Sequence, residues 1–150
     1  MKTEPNDFWN TPHEVFRAID HFFSGGHFDP CPPNPKFDGL SVDWGTDCYI
    51  NPPYSKALKR AFINKAHKEY QGGRYLWMFN YANSEDLWRV HEKASAVLIP
   101  KKRFRFIPNH PDLKESSPRY DNIMILWGDP SGFQNSFEHL GKVYVYEEGF

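Results

Sequence analysis

The chain has little of what usually classifies a protein at first sight. Its formal net charge is −1 over 150 residues, so no global basic field marks a nucleic-acid binder and any such contact has to come from a local patch. It has two cysteines, Cys31 and Cys48, and no recognisable signal peptide. They read as reduced, cytosolic thiols and not as a disulfide framework. With His13 or His27 they fit no standard zinc spacing, so no metal is expected. The longest apolar run, Ile123 to Trp127, suits a buried strand and is far too short to span a membrane. No repeat, low-complexity tract or linker divides the sequence, and residues 1–150 read as one domain with room for a real core.

What the chain has in quantity is proline and aromatic side chains, with 13 prolines and 17% Phe, Trp and Tyr. A tightly packed core explains most such aromatics, and the remainder would be stacking surfaces. Prolines matter most at Asn51-Pro52-Pro53-Tyr54, directly after the apolar run Cys48-Tyr49-Ile50. Asn51 precedes a proline and is pushed towards extended geometry. Pro52 and Pro53 each fix φ and carry no N–H. The loop therefore presents carbonyl oxygens with few competing donors, a receptor for an –NH2 group. The Asn51 side-chain oxygen and the Pro52 carbonyl can each accept one amino hydrogen, and Tyr54 offers a flat face for a base. Stacking on an aromatic contributes about 1–3 kcal/mol per base, comparable to the few kcal/mol that extruding a base costs. This is the chemistry of methylating an exocyclic amino group. Set against it, Pro-Pro pairs are common loop punctuation.

The pattern around this loop alternates strand and helix. Thr11 is placed to cap a helix over about 12–23, with Pro12 at its first position and Val15, Phe16, Ile19, Phe22 and Phe23 at helical spacing. His27–Cys31 reads as a short strand ending in Asp29, followed by a proline-stiffened loop. Ser55 is placed to cap a second helix, Lys56 to about Tyr70, with Leu58, Ala61, Phe62 and Ala66 inward and Lys59, Arg60, Lys65 and Lys68 solvated. A strand over Tyr75–Phe79, a helix over Ser84–Lys93 with Ser84 as its cap, and strands at Ala96–Ile99, Ile123–Trp127 and Lys142–Tyr146 complete the series. Such alternation predicts an α/β fold with a mostly parallel sheet and helices on its faces. Ligands in such sheets lie beyond the carboxyl ends of the strands, which would place Asp29 and Asn51 in one crevice.

The ordered set of motifs resembles the small, single-domain phage and prophage DNA N6-adenine methyltransferases of the Dam type. The resemblance runs through Asp7-Phe8-Trp9-Asn10-Thr11-Pro12, Phe28-Asp29-Pro30-Cys31, Asn34-Pro35-Lys36, Asp38-Gly39-Leu40 with Trp44, Asn51 to Ser55, and Arg103-Phe104-Arg105-Phe106. It implies a class I S-adenosylmethionine-dependent, Rossmann-like fold, minimal and without a separate target-recognition domain. It implies transfer of the methyl of S-adenosylmethionine to N6 of a flipped adenine in DNA, in the cytoplasm of a bacterial host. Asn51, Pro52, Pro53 and Tyr54 would hold the base. Trp9, Thr11, Pro12, Asp29, Pro30 and Cys31 would hold the cofactor. An acid binding its ribose or adenine would be Asp38, with Asp43 as the alternative. Two departures stand out: prolines replace the glycine-rich turn after Asp29, and Phe79-Asn80-Tyr81 stands where the family has Leu-Pro-Ala.

The candidates for DNA contact are Lys56, Lys101, Arg103 and Arg105. Phe104 and Phe106, interleaved with the last three, would line a nucleic-acid groove or lie under a lysine-decorated edge strand. Target reading falls to the 107–119 loop, or recognition is short and permissive. The rival readings are methylation of amino groups in RNA or protein, and a non-catalytic nucleic-acid-binding relative, which the altered cofactor turn favours.

Overall fold

In the computed structural model, which describes residues 9–108 and 121–147, two crossovers build the frame. Strand β2 (Asp47–Ile50) leads into α2 (Lys56–Glu69), and β3 (Arg74–Asn80) leads into α3 (Ser84–His91), which returns to β4 (Ala94–Pro100). Helix α1 (His13–Phe22) precedes them, and β6 (Asn122–Trp127), α4 (Phe133–Phe137) and β7 (Gly141–Val145) follow. A separate two-residue ribbon pairs β1 (Trp9–Asn10) with β5 (Ile107–Pro108). Asp7, Phe8 and most of the 107–119 loop, to which motif and target-reading roles were assigned, lie outside the described residues.

The main sheet has the order β2-β3-β6-β4-β7, and it corrects the expected fold. Only β2 and β3 are parallel; β3–β6, β4–β6 and β4–β7 are all antiparallel. The sheet is thus mixed and predominantly antiparallel, not the mostly parallel class I, Rossmann-like sheet inferred above. The crossovers do give β2, β3 and β4 a common direction. However, β6 enters between β3 and β4 running against both, and β7 adds a further reversed strand at the edge. A buried apolar strand such as Asn122–Trp127 reads the same in either direction, so its residues carried no signal of orientation.

Helices cover both faces, which is why β3 is buried along Tyr75–Asn80. On one face, Val15, Ile19 and Phe22 of α1 and Phe133 and Phe137 of α4 pack on Tyr49, Leu76, Met78, Leu98, Met124 and Leu126. On the other, Phe62, Ile63 and Ala66 of α2 pack with Ile50, Tyr75, Trp77, Phe79, Ile125 and Trp127. Each fully buried large side chain contributes about 1.5–3 kcal/mol, and most of the aromatic surplus is spent here. Tyr75 stacks on Trp127 with ring centroids 6.1 Å apart and planes 14° from parallel.

Several local expectations shift. Thr11 does not cap α1: the helix starts at His13 after Pro12 without a side-chain cap, and the Thr11 hydroxyl instead pairs with Tyr49 at 2.8 Å. Asn83, not Ser84, caps α3, its side-chain oxygen accepting the Asp86 N–H at 2.9 Å. The His27–Cys31 strand shrinks to one parallel bridge between Phe28 and Cys48, since Pro30, Pro32 and Pro33 remove the donors a ladder needs.

Candidate functional site

That single bridge suffices to place the two motif segments together. Phe28 N–H donates to Asp47 and Tyr49 N–H donates to Phe28, each at 2.9 Å. The chain therefore leaves the sheet at Asp29 beside the point where β2 ends at Ile50, just before Asn51. The Cys31 thiol closes the gap by donating to the Asn51 carbonyl oxygen at 2.9 Å. The Cys31 N–H donates to the Asp29 carboxylate at 3.0 Å. Pro30, Cys31, Pro52 and Pro53 are buried, and Asp29, Asn51 and Tyr54 keep partial exposure.

The turn after Asp29 is held from below by close backbone packing. A Cβ on Gly39 would run into the Pro30 carbonyl oxygen, so only glycine fits there without displacement. Trp44, itself buried, donates its indole N–H to Gly39 at 2.8 Å. Gly39 and Trp44 thus do for the proline-rich turn what glycines within it would otherwise do: they let backbone approach backbone.

The electrostatics where these two segments meet are those of groups shielded from water. Burial pushes the Asp29 carboxyl up to about 7, against a smaller opposing effect of the Cys31 N–H. The residue keeps some surface, but its carboxyl sits on the enclosed side. Burial also drives the Cys31 thiol well up, with Asp29 adding to it. It pushes the Tyr49 hydroxyl well up too, opposed by its bond to Thr11 and reinforced by Asp29, Tyr54 and Cys31. These mutual influences gather Thr11, Asp29, Cys31, Tyr49 and Tyr54 into one cluster. The Tyr54 ring is partly buried against the α1-side core, with its hydroxyl enclosed and pushed up by burial.

The other predicted residues separate into two groups. Asp38 is engaged locally, accepting the Leu40 N–H at 2.9 Å and the Ser41 hydroxyl at 3.2 Å, and the Leu40 bond leads in holding its carboxyl below the usual range. That is a turn-forming arrangement; Asp43 is exposed. Pro12 holds the position before α1, its carbonyl accepting the Phe16 N–H at 2.9 Å. The Trp9 side chain lies outside what is described. Lys56, Lys101, Arg103 and Arg105 are all exposed, Lys56 at the start of α2 and the others just past the carboxyl end of β4. Arg103 pairs with Asp121. Phe104 and Phe106 are buried, so they offer no stacking groove, and residues 101–105 form no strand; the alternation directs the aromatics inward and the basic groups out.

Two residues of the site were missed. Tyr49 was read only as part of an apolar run. Lys59 was assigned to a solvated helix face, yet it is 6% exposed and donates to the Asn80 carbonyl at 2.6 Å. The signal was there: Lys59, Phe62, Ile63 and Ala66 form the i, i+3, i+4, i+7 stripe that α2 buries. A groove of about 770 Å³ between α3 and the β4–β7 edge, lined by Trp88, Ile99 and Tyr144 among others, includes none of the predicted residues. Among the described residues, no three His, Cys, Asp or Glu side chains gather as a metal site, and no helix is long and apolar enough to cross a membrane.

A family model places the chain in the methyltransferase class. It is the model of DNA N-6-adenine-methyltransferase (Dam), it matches residues 1–140, and the chain belongs to that family. Membership implies in general terms an enzyme that methylates adenine N6 in DNA, and the family generally uses S-adenosylmethionine. No curated protein matches the chain.

Proposed function

We propose that this protein methylates adenine N6 in DNA with S-adenosylmethionine, in the crevice between the Asp29–Cys31 turn and the Asn51–Tyr54 corner. The observation that carries the reading is the 2.9 Å bond from the Cys31 thiol to the Asn51 carbonyl. It puts the proposed cofactor turn and the proposed base-binding corner in direct contact, as a transfer between them requires.

The donor set fits the cofactor: a buried carboxyl at Asp29 suits a ligand carrying positive charge, and the Thr11 and Tyr49 hydroxyls beside it offer neutral polar contacts. When bound, S-adenosylmethionine supplies a methyl group already activated on a sulfonium. The protein's part is then placement. Asn51 accepts one amino hydrogen through its side chain and Pro52 accepts the other through its carbonyl, which turns the nitrogen lone pair towards the methyl. As the amino group becomes positive during transfer, both acceptors bind it more strongly than in the ground state, and this difference accelerates the reaction. Tyr54 supports the base by stacking. Lys56, Lys101, Arg103 and Arg105 meet backbone phosphates.

The test is incubation with methyl-labelled S-adenosylmethionine and separate DNA, RNA and protein pools, followed by mapping of modified bases. Label in DNA at adenine N6 is the expected result. Label confined to RNA or protein overturns the substrate, and no binding of S-adenosylhomocysteine by calorimetry would point to a non-catalytic relative.

A further inference from the structure

Lys59 is the one buried lysine or arginine among the described residues. Its ammonium is withdrawn from water, donates to the main-chain carbonyl of Asn80 at 2.6 Å, and lies over two aromatic rings, 6.0 Å from the centroid of Tyr54 and 5.6 Å from that of Phe79. Asp86 is an opposing charge that influences it, but Asp86 is bonded to Arg60 at 3.0 Å. Burying an ammonium is expensive, and α2 does not need one there. A methionine would fill the same stripe between Tyr54 and Phe62 at no desolvation cost. Stability alone gives no reason for this lysine.

Its placement gives one. Tyr54 belongs to the corner that follows β2, and Asn80 ends β3, the neighbouring parallel strand. Lys59 joins the two. It also sets a cation 6.0 Å from the centroid of the Tyr54 ring, an attraction that fixes ring orientation.

We infer that Lys59 is a positioning residue for the methylated base: it ties the end of β3 to the Asn51–Tyr54 corner and orients the Tyr54 ring, so that it governs engagement of DNA and not of cofactor. The inference rests on the function proposed above.

The test is Lys59→Met, which keeps the length and packing of the side chain and removes its charge. The expected result is a rise of tenfold or more in KM for DNA, with affinity for S-adenosylhomocysteine within twofold of wild type and thermal stability equal or higher. A lysine with a merely structural role would lower stability without moving KM for DNA selectively. Wild-type KM in the variant overturns the inference. Amide hydrogen exchange gives a readout independent of activity, with faster exchange at residues 54–58 and 80–81 expected in the variant. If wild type methylates no DNA, the functional reading fails and exchange alone decides: unchanged exchange overturns the tie, and tenfold faster exchange supports it.

Discussion

Asn51 and Asp29 carry different burdens at the residue scale, and their substitutions should separate. On the proposed function, Asn51→Ala removes an acceptor that gains strength only as the amino group becomes positive. Transfer should fall by about 10²-fold or more with affinity for S-adenosylhomocysteine unchanged, as single-turnover rates and calorimetry would show. Turnover near wild type would exclude the role given to Asn51. Asp29 is tested through pH. Its carboxyl is raised to about 7 by burial, from an unfolded value near 3.9, so the folded protein holds a proton that the unfolded chain releases. The associated stability is present below about pH 4 and is lost as pH rises towards 7. A cationic ligand favours the carboxylate. Affinity for S-adenosylmethionine should therefore climb with pH, by up to about tenfold per unit, and level off above 7. Asp29→Asn should flatten that profile and raise stability most at pH 8. A profile that keeps its slope in the variant would assign the titration to another group.

Elements differ in how much of them the sequence revealed. Apolar spacing gives α1, α2 and α3 within a few residues, and β3, β4, β6 and β7 as buried or half-buried runs. Period 2 and period 3.6 report which residues face inward, which is why they locate elements well. They do not report strand direction, and the antiparallel insertion of β6 escaped them. The helix Phe133–Phe137 has one turn and follows Gly132 at φ 80° without a side-chain cap, so it carries no start signal. The Asp29 turn meets Asn51 through Cys31, a link that neither apolar run announces. Lys59 was misassigned because residue type was weighed above position, whereas Tyr49 lies in the buried strand expected of it and only its hydroxyl pair with Thr11 goes beyond that reading. Gly39 shows how an element outside the motif supports it. Gly39→Ala should push against the Pro30 carbonyl, cost about 1–3 kcal/mol, and weaken cofactor binding along with stability. Gly26→Ala is the control, since a Cβ there meets nothing within 4 Å; chemical denaturation should place it within about 0.5 kcal/mol of wild type. Equal effects in the two variants would remove Gly39 from the support of the turn.

At the scale of the whole molecule, a protein with net charge −1 has to gather DNA by where its charges lie and not by their sum. The exposed bases after β4 and Lys56 at the start of α2 follow the carboxyl ends of two strands that run the same way, so they border the side of the sheet that carries Asn51. Three cations elsewhere are paired with acids: Arg60 with Asp86 at 3.0 Å, Lys65 with Glu69 at 2.7 Å and Arg74 with Asp47 at 3.1 Å. Arg103 is itself shared with Asp121, which leaves Lys56, Lys101 and Arg105 as the stronger phosphate partners. Each phosphate contact contributes about −0.9 to the slope of log affinity against log salt concentration on duplex DNA. Lys101→Gln with Arg105→Gln should therefore flatten that slope by about 1–2, weaken binding uniformly across sequences, and leave the rate from a saturated complex intact. Lys65→Gln and Lys68→Gln on α2 should leave the slope where it was. If the α2 pair flattened it and the β4 pair did not, DNA would approach over the helix face, and the crevice at Asn51 would be on the wrong side of the molecule to receive it.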